Sequence, residues 1–552
     1  MVHIDLQKPK CKPIEFSGLT SFSGLPWYGK SDQLTNTPET IRAKLDQLST
    51  PLWVVRLGGQ IFITGDPGFS SDNSEIEAER LAYLPAVPAN ALGDEAFKQT
   101  YGVKYAYYSG AMANAIASVE MVITLGKNGM MGSYGSAGMP IDRIKTAIQD
   151  IQSALPNGPY AVNLIHTPFE PGLELKLVEL YLEYGVPVLE ASAYMDMSYS
   201  LVYYRAAGLS LGEDGQVKIK NRIIAKVSRK EVASRFMNPA PQEYLDQLMM
   251  DGKITPLQAE LAKTVPVADD ITVEADSGGH TDNRPLVGLI PTMIALRDRI
   301  QAERQYTVPV RVGAGGGIST PASALAAFEM GAAYVVTGSI NQACVESGAS
   351  EHTRKLLAQA DMADVIMAPA ADMFEMGVKV QVLKRGTMFA MRASKLYEIY
   401  SRYENIETIP AADREKIEKT IFRRNLDDVW ADTAEFFKQR DPKQLVRAEE
   451  DGHYKMALIF RWYLGLSSRW SVVGEAGREM DFQIWCGPSM GSFNEWVQGT
   501  YLEKPENRYV VDVILQILNG AAYLKRVNLL QSQGVQLSSE IVKVYPTKVF
   551  IE

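Results

Sequence analysis

The segment Val310-Arg-Val-Gly-Ala-Gly-Gly-Gly-Ile-Ser-Thr-Pro321 decides how the middle of this chain is organised. A short apolar strand runs directly into a group of glycines: Gly313, Gly315, Gly316 and Gly317. A helix is predicted to follow, with Thr320 as its N-cap and Pro321 at its first position. Glycine lets backbone N–H groups approach an anion closely, and a helix N-terminus adds partial positive charge. The pattern therefore predicts a phosphate cradle at the end of a strand.

A second glycine-containing strand end follows about 20 residues later, at Val336-Thr337-Gly338-Ser339. Many (β/α)₈ barrels bind phosphate in the loops after their seventh and eighth strands, which these two segments match. No acidic residue ends a strand about 20 residues after the first cradle, as a Rossmann unit requires. No Lys-Ser/Thr follows the glycines either, which excludes a Walker A loop. The site favours a mononucleotide or a sugar phosphate over a dinucleotide.

Strand-like and helical stretches alternate on both sides of this segment. The predicted strands cover residues 104–109, 129–134, 160–165, 187–192, 222–227, 271–275, 308–313 and 333–337. Helical periodicity is clear at residues 115–125, 141–155, 174–184, 291–304 and 321–330. A doubly wound open sheet gives the same alternation, but the count of eight favours an α/β fold of the (β/α)₈ or TIM barrel type.

The remaining segments add to this barrel. Residues 1–95 are rich in Gly, Pro and Ser and are interpreted as an N-terminal extension before a barrel at 96–350. Residues 231–270, after the fifth strand, are too long for an ordinary crossover and contain two helical pieces. We interpret them as a helical lid insertion, and we expect the substrate wall to consist of this insertion together with helices of the C-terminal region. Residues 351–552 are predicted to form a mainly helical C-terminal region.

Composition narrows the class of protein. The net charge of −9, with both signs scattered, argues against nucleic acid as the main partner. No apolar run reaches the roughly 20 residues that a membrane span needs, and the first residues lack a secretory signal. A cytoplasmic protein is expected. The three cysteines are too widely spaced for a metal pattern, and the chain has neither HExxH nor GxSxG, so no catalytic metal is expected.

His280 is the candidate catalytic residue. It follows Gly278 and Gly279 at the C-terminal end of the sixth predicted strand, where barrel enzymes place their chemistry. Histidine can donate a proton near neutral pH, and the two glycines allow a flat or charged ligand to come close. His166, at the end of the third predicted strand, could face the same site.

These elements together resemble the superfamily of nitronate monooxygenases and FMN-dependent enoyl reductases. The resemblance begins at Tyr107-Tyr-Ser-Gly-Ala-Met-Ala-Asn114 and continues along the later strand ends. It implies that the flavin is contacted by Ala111, Met112, Ala113, Asn163, Lys226, Ser277, Gly278, Gly279, Gly315, Gly316, Gly317, Thr337, Gly338 and Ser339. Among these, Lys226 could hold negative charge at the reduced flavin or could form a structural ion pair.

Within that superfamily, the segment Ala275-Asp-Ser-Gly-Gly-His-Thr-Asp-Asn-Arg-Pro285 looks like the PfaD-type trans-acting enoyl reductases of polyunsaturated fatty acid and polyketide synthases. Residues 251–262, 460–470 and 483–493 look like the same type. The resemblance implies a ping-pong reduction, in which NADPH reduces FMN and FMN then reduces an enoyl thioester on an acyl carrier protein. It also implies that His280 supplies or orients the proton for the α-carbon, and that the enzyme is a homodimer.

Three other interpretations of the sequence stay open. A nitronate monooxygenase would use FMN and oxygen on the same barrel, although the residues after His280 and the large C-terminal region speak against it. A non-catalytic docking component of a synthase would keep only a relic flavin site. A phosphate-binding barrel enzyme without flavin is the third.

Overall fold

The computed structural model describes residues 14–16, 25–71, 74–168 and 170–548. The chain divides into two compact units. One unit comprises residues 94–319 and 330–511, and the other comprises residues 1–93, 320–329 and 512–552. The predicted boundaries at residues 95 and 350 stay a prediction.

The larger unit contains a closed barrel of eight parallel strands. They are Tyr107–Ser109, Met131–Tyr134, Ala161–Ile165, Val188–Ser192, Arg222–Val227, Asp270–Glu274, Arg311–Gly315 and Val335–Thr337. All eight strands lie within a few residues of their predicted positions. The last strand pairs in parallel with the first, Val336 opposite Tyr108, which closes the barrel and excludes an open sheet. The predicted (β/α)₈ fold is confirmed.

Helices cover the outside of the barrel because each has one apolar face. The helix Ile141–Ala154, for example, buries Ile144, Ile148 and Ile151, whose spacing of four and three residues places them on one side. The other helices between strands are Val119–Lys127, Pro171–Glu183, Tyr199–Ala207, Lys230–Met237 and Leu286–Arg304. Their buried side chains join those of the strands in one continuous core.

The insertion at residues 231–270 contains the two predicted helical pieces, Gln242–Met250 and Pro256–Ala262. Thr255 caps the second helix by accepting from the backbone N–H of Gln258. Both helices pack against Tyr199–Ala207, and Leu245 is fully buried in the barrel core. The insertion therefore thickens the outer helical layer.

Residues 351–511 of the larger unit are mostly helical. The helices are Glu351–Ala358, Phe389–Arg402, Ala411–Ile417, Leu426–Arg440, Lys443–Glu450, Gly452–Val473 and Ser489–Val497. The helices Ala411–Ile417 and Leu426–Arg440 are separate, because Arg423 adopts a left-handed φ of +57° and Asn425 caps the second helix at the backbone N–H of Asp428. This region also holds an unpredicted antiparallel sheet, in which Lys379–Leu383 lies between Val365–Pro369 and Gly279–His280.

The smaller unit is built from both ends of the chain. Four antiparallel strands form a sheet in the order Pro26–Gly29, Ile76–Leu84, Leu52–Leu57 and Gln60–Thr64. Ile14–Phe16 pairs with Val535–Leu537, and Tyr523 and Val527 of the helix Val510–Ser532 join the core beside Ile41. Among the described residues, no helix combines the length and apolar character needed to cross a bilayer.

Candidate functional site

A cleft of about 640 Å³, counting its open mouth, lies where the barrel strands end. The sixth, seventh and eighth strands end at Glu274, Gly315 and Thr337, respectively. Lys226 is the penultimate residue of the fifth strand. The lining consists of Gly110, Ala111, Met112, Lys226, Thr272, Glu274, Ser277, Gly278, Gly315, Gly316, Gly317, Ile318, Val336, Thr337, Gly338, Ser339, Gln342, Trp485 and Ser489. The C-terminal rim, where barrel enzymes carry out their chemistry, is therefore concave, and its lining combines glycine backbone with polar and apolar side chains.

The glycine loop after the seventh strand passes against the end of the sixth. Gly316 has a φ of +83°, and a Cβ on it would lie 2.8 Å from the carbonyl carbon of Ala275. Gly317 also has a positive φ, of +76°, but a Cβ there would meet nothing within 4 Å. The close approach of the two backbones requires glycine at position 316, whereas position 317 faces open space. This is the geometry of a backbone cradle.

Two polar side-chain atoms in the lining are buried without a hydrogen-bond partner, the Oγ of Ser277 and the Nε2 of Gln342. Gln342 is only 2% exposed. An unpaired buried donor costs about 1–3 kcal/mol, so both atoms are suited to a ligand that accepts hydrogen bonds. Ser277 was predicted as a site residue. Gln342 was not, although it lies on the short helix Ser339–Gln342 that directly follows Gly338.

Lys226 lies in the cleft between two carboxylates. Its Nζ is 3.5 Å from Oε1 of Glu190 and 3.2 Å from Oε1 of Glu274. Burial alone would lower the pKa of Lys226, but the charges of Glu274 and Glu190 outweigh it and hold the pKa well above its ordinary value. Glu190 also accepts from the backbone N–H of Ala111 at 2.9 Å. Of the two interpretations of Lys226, the ion pair is present.

His280 lies beside the cleft, on the edge of the small antiparallel sheet. Its Nε2 is 2.9 Å from Oδ2 of Asp372, and its side chain is 31% exposed. Burial lowers the pKa of His280, but the hydrogen bond and charge of Asp372 more than offset that effect and raise the pKa above its ordinary value. The contact between Nε2 and Asp372 therefore fixes the orientation of the imidazole ring, and the raised pKa favours its protonated form.

The loop that leads to His280 is fixed by the same sheet. Gln381 Nε2 donates to the carbonyl of Ser277 at 2.8 Å and to Oδ1 of Asp276 at 2.7 Å. Asn283 donates to the same Asp276 oxygen at 2.9 Å. Asp282 accepts from Arg229, which lowers the pKa of Asp282 to about 2. The polar residues after the histidine thus brace the loop.

The structure brings eleven of the fourteen predicted cofactor contacts together around the cleft. Ala113, Asn163 and Gly279, all within the described chain, are not in the lining. Asn163 is buried, and its Nδ2 donates to the carbonyl of Glu190 and to Oγ of Ser192. Its amide therefore ties the third barrel strand to the fourth.

His166, the second histidine considered, is held in a local network outside the lining. Its Nδ1 is 3.1 Å from Oε2 of the buried Glu174, and its ring stacks on Tyr194. Burial raises the pKa of Glu174, but the hydrogen bonds of His166 and Ser198 outweigh it and lower the pKa.

The residues 231–270, predicted to wall the cleft, contribute none of its described lining residues. The C-terminal region, which was predicted to share this wall, contributes Trp485 and Ser489 to the lining. The sequence did not predict five residues that lie in or beside the site: Glu190, Glu274, Gln342, Asp372 and Trp485. Only the two glutamates had a local signal, as charged residues within otherwise apolar strands.

Two family models match parts of the chain. The N-terminal domain of the fatty acid synthase subunit PfaD matches residues 27–89. The inserted helical domain of [acyl-carrier-protein] S-malonyltransferase matches residues 403–482.

Curated relatives and a solved structure match most of the chain. One of the subunits of the polyunsaturated fatty acid synthase of Thraustochytrium sp. is 50% identical over 88% of this chain, and the polyketide biosynthesis protein PksE of Bacillus subtilis is 42% identical over 81%. The chain spans about a third of the length of the first and 60% of the second. The enoyl reductase domain of MlnA, from the macrolactin biosynthesis cluster of Bacillus amyloliquefaciens, is 41% identical. Its structure superposes with a TM-score of 0.77, covering 80% of this chain and 100% of that domain.

The glycine loop provides a matched pair of substitutions. Gly316→Ala should lower the thermal unfolding midpoint clearly more than Gly317→Ala, because both add left-handed strain of about 1–2 kcal/mol but only the first clashes with the Ala275 backbone. Thermal unfolding followed by circular dichroism measures the difference. Equal midpoints for the two variants would contradict the close approach of Gly316 to Ala275.

Proposed function

This chain belongs to the PfaD family of synthase enoyl reductases, and from that premise we propose that it reduces the 2,3 double bond of an enoyl thioester. FMN is the proposed cofactor, NADPH the proposed electron donor, and an acyl carrier protein domain the proposed bearer of the substrate. The observation that carries the proposal is the cleft at the strand ends, where a glycine cradle and His280 lie on neighbouring loops.

The cleft residues fit FMN. Gly316 and Gly317 offer a backbone cradle for the phosphate, and Ser277 and Gln342 offer buried donors that lack a partner. Thr337, Gly338 and Ser339 would complete the phosphate seat. Ala111 and Met112, on the first strand's loop, would lie near the ring. When bound, FMN supplies the two-electron chemistry, taking hydride from NADPH and delivering hydride to the β-carbon of the substrate.

Lys226 would lie at the ring end of the cleft. Its ammonium stays charged because Glu190 and Glu274 raise its pKa, so it can attract negative charge that develops at a reduced ring. The three groups together carry a net charge of about −1 when all are ionised. A phosphate dianion is disfavoured beside that set, which supports the proposal that the phosphate binds at the glycine end.

His280 would supply the proton for the α-carbon. With Asp372 accepting from Nε2–H, the imidazolium has Nδ1–H left to donate to the substrate. After transfer, the neutral ring keeps its proton on Nε2 and remains anchored to Asp372. Asp372 is therefore a positioning residue that also stabilises the charged form of the donor.

The partners and the setting of the enzyme rest on the relatives. The matched proteins of Thraustochytrium sp. and Bacillus subtilis are named as part of a synthase and as a polyketide biosynthesis protein. A synthase with acyl carrier protein domains is accordingly the proposed partner. A homodimer and a cytoplasmic location stay predictions.

Steady-state turnover tests this function. NADPH oxidation should depend on a 2-butenoyl thioester, and His280→Gln should lower kcat about 10²–10⁴-fold while FMN stays bound, because the general acid is lost. His352→Gln is the control, since His352 is exposed on the helix Glu351–Ala358. Unchanged kcat in His280→Gln would reject the proton donor. Oxygen-dependent turnover of nitroethane, with none of the enoyl thioester, would reject the proposed reaction.

The pair formed by His280 and Asp372 gives a pH prediction. Asp372 raises the pKa of His280, so Asp372→Asn should lower that pKa. Because the protonated ring is the proposed donor, the alkaline limb of the kcat profile should move to lower pH. The ring titration can be followed separately by NMR of labelled histidine, with only five histidines to assign. A limb that stays in place while the NMR titration moves would exclude His280 as the group that controls turnover.

A further inference from the structure

A segment of the C-terminal region, residues 485–489, forms part of the cleft. Trp485 and Ser489 both belong to the lining. The segment follows the long helix Gly452–Val473 and precedes most of the helix Ser489–Val497. It is distant in sequence from the barrel strands, and the proposed hydride and proton transfers do not involve it.

The segment is packed against the loop that carries His280. A Cβ on Gly278 would lie 2.7 Å from the backbone nitrogen of Cys486, and a Cβ on Gly487 would lie 2.9 Å from the nitrogen of Gly278. The N–H of Gly487 donates to Oγ of Ser339 at 3.0 Å. The two backbones can therefore lie in contact because each has a glycine at the point of approach. The segment extends from the His280 loop to Ser339 of the proposed phosphate site.

The indole of Trp485 is held in one orientation. In the amide orientation that satisfies both of its neighbours, with oxygen and nitrogen exchanged, Gln483 accepts from Nε1 of Trp485 at 3.2 Å and donates to the carbonyl of Leu464 at 3.0 Å. The backbone of Gln483 donates to the carbonyl of Ser467 at 3.1 Å, and Trp485 forms a β-bridge with Val382. The ring is therefore preorganised by the long helix on one side and by the small sheet on the other.

Trp485 is also the largest apolar side chain in the lining. The other apolar side chains there are Ala111, Met112, Ile318 and Val336. The Cδ1 of Trp485 is 4.0 Å from where a Cβ on Gly279 would stand, directly before His280. An apolar chain whose α-carbon faces His280 would have this indole as its neighbour.

We propose that Trp485 is a specificity-determining residue, whose indole is the apolar wall against which the acyl chain of the enoyl thioester lies. The proposal rests on the proposed enoyl reduction and identifies the part of the site that distinguishes substrates by the length of their acyl chain. The wall belongs to the C-terminal region, and Gln483 acts as the residue that positions it. Longer chains should gain more from the indole than shorter ones.

The test compares 2-butenoyl and 2-octenoyl N-acetylcysteamine thioesters as substrates. In Trp485→Ala, KM for the octenoyl thioester should rise about tenfold or more, because each methylene that loses its contact weakens binding up to about fourfold. KM for the butenoyl thioester should rise less than about threefold, and its kcat should change little, since His280 is untouched. Trp485→Phe should fall between wild type and Trp485→Ala, and Gln483→Leu should show a weaker form of the same split.

The control is Trp430→Phe, which alters a tryptophan packed against the buried cluster of Phe437, Ala448, Tyr454 and Leu458, outside the cleft. It should leave the ratio of the two KM values unchanged. Equal rises in both KM values for Trp485→Ala would overturn the proposal. The variant could instead lose FMN while the fraction that retains FMN keeps the chain-length preference. That result would mean that the indole contacts the cofactor, and it would also overturn the proposal. If Trp485→Ala fails to fold, Trp485→Phe decides by the same ratio.

A binding measurement separates this proposal from the function on which it rests. Calorimetric titration with the saturated octanoyl and butanoyl thioesters needs no turnover. If wild type turns over no enoyl thioester, the proposed function fails. The wall is then supported only if wild type binds the octanoyl thioester more tightly than Trp485→Ala does, and it is overturned if the two bind alike.

Discussion

The closure of the barrel, last strand against first, is the constraint on which the site depends. Val335–Thr337 pairs with Tyr107–Ser109, and the hydroxyl of Tyr107 lies 2.8 Å from Oγ1 of Thr337. Asn341 donates to the same Tyr107 oxygen at 2.9 Å. Because all eight strands are parallel, closure brings every C-terminal end to one rim. Lys226, the glycine cradle and the His280 loop, far apart in sequence, meet there for that reason.

The barrel rim provides only part of the site, and the C-terminal region supplies the rest. Asp372 raises the pKa of His280, Gln381 braces its loop, and Trp485 stands beside it. All three residues are connected through the small antiparallel sheet, which joins Gly279–His280 to strands of the later chain. The C-terminal region therefore contributes to the proposed site as well as to the fold.

The barrel could be predicted from the sequence because parallel strands buried on both faces appear as short apolar runs between amphipathic helices. The cradle could be predicted because glycine before a capped helix is a local pattern. Asp372, Gln381 and Trp485 could not, since their partners lie about 90 or more residues away and no periodicity links them. The role of residues 231–270 could not be read either, because helical periodicity does not say which surface a helix covers.

The same limit applies to the two chain ends. Arg526 is fully buried and donates to the carbonyls of Gln47, Leu48 and Thr50, and burial lowers its pKa to about 10. An arginine whose hydrogen bonds all go to backbone carbonyls has no sequence signature, so the association of the two ends was not foreseen. A sequence pattern predicts the structure of the residues close to it in the chain, whereas this contact joins residues more than 470 positions apart.

The visible absorption spectrum of the purified protein tests the central claim, that the cleft holds FMN for hydride transfer. The protein, as isolated or after incubation with FMN, should carry the absorption bands of an oxidised flavin, and anaerobic NADPH should bleach them. A colourless protein that takes up no added FMN would contradict the assignment of the cradle and every catalytic role that depends on it.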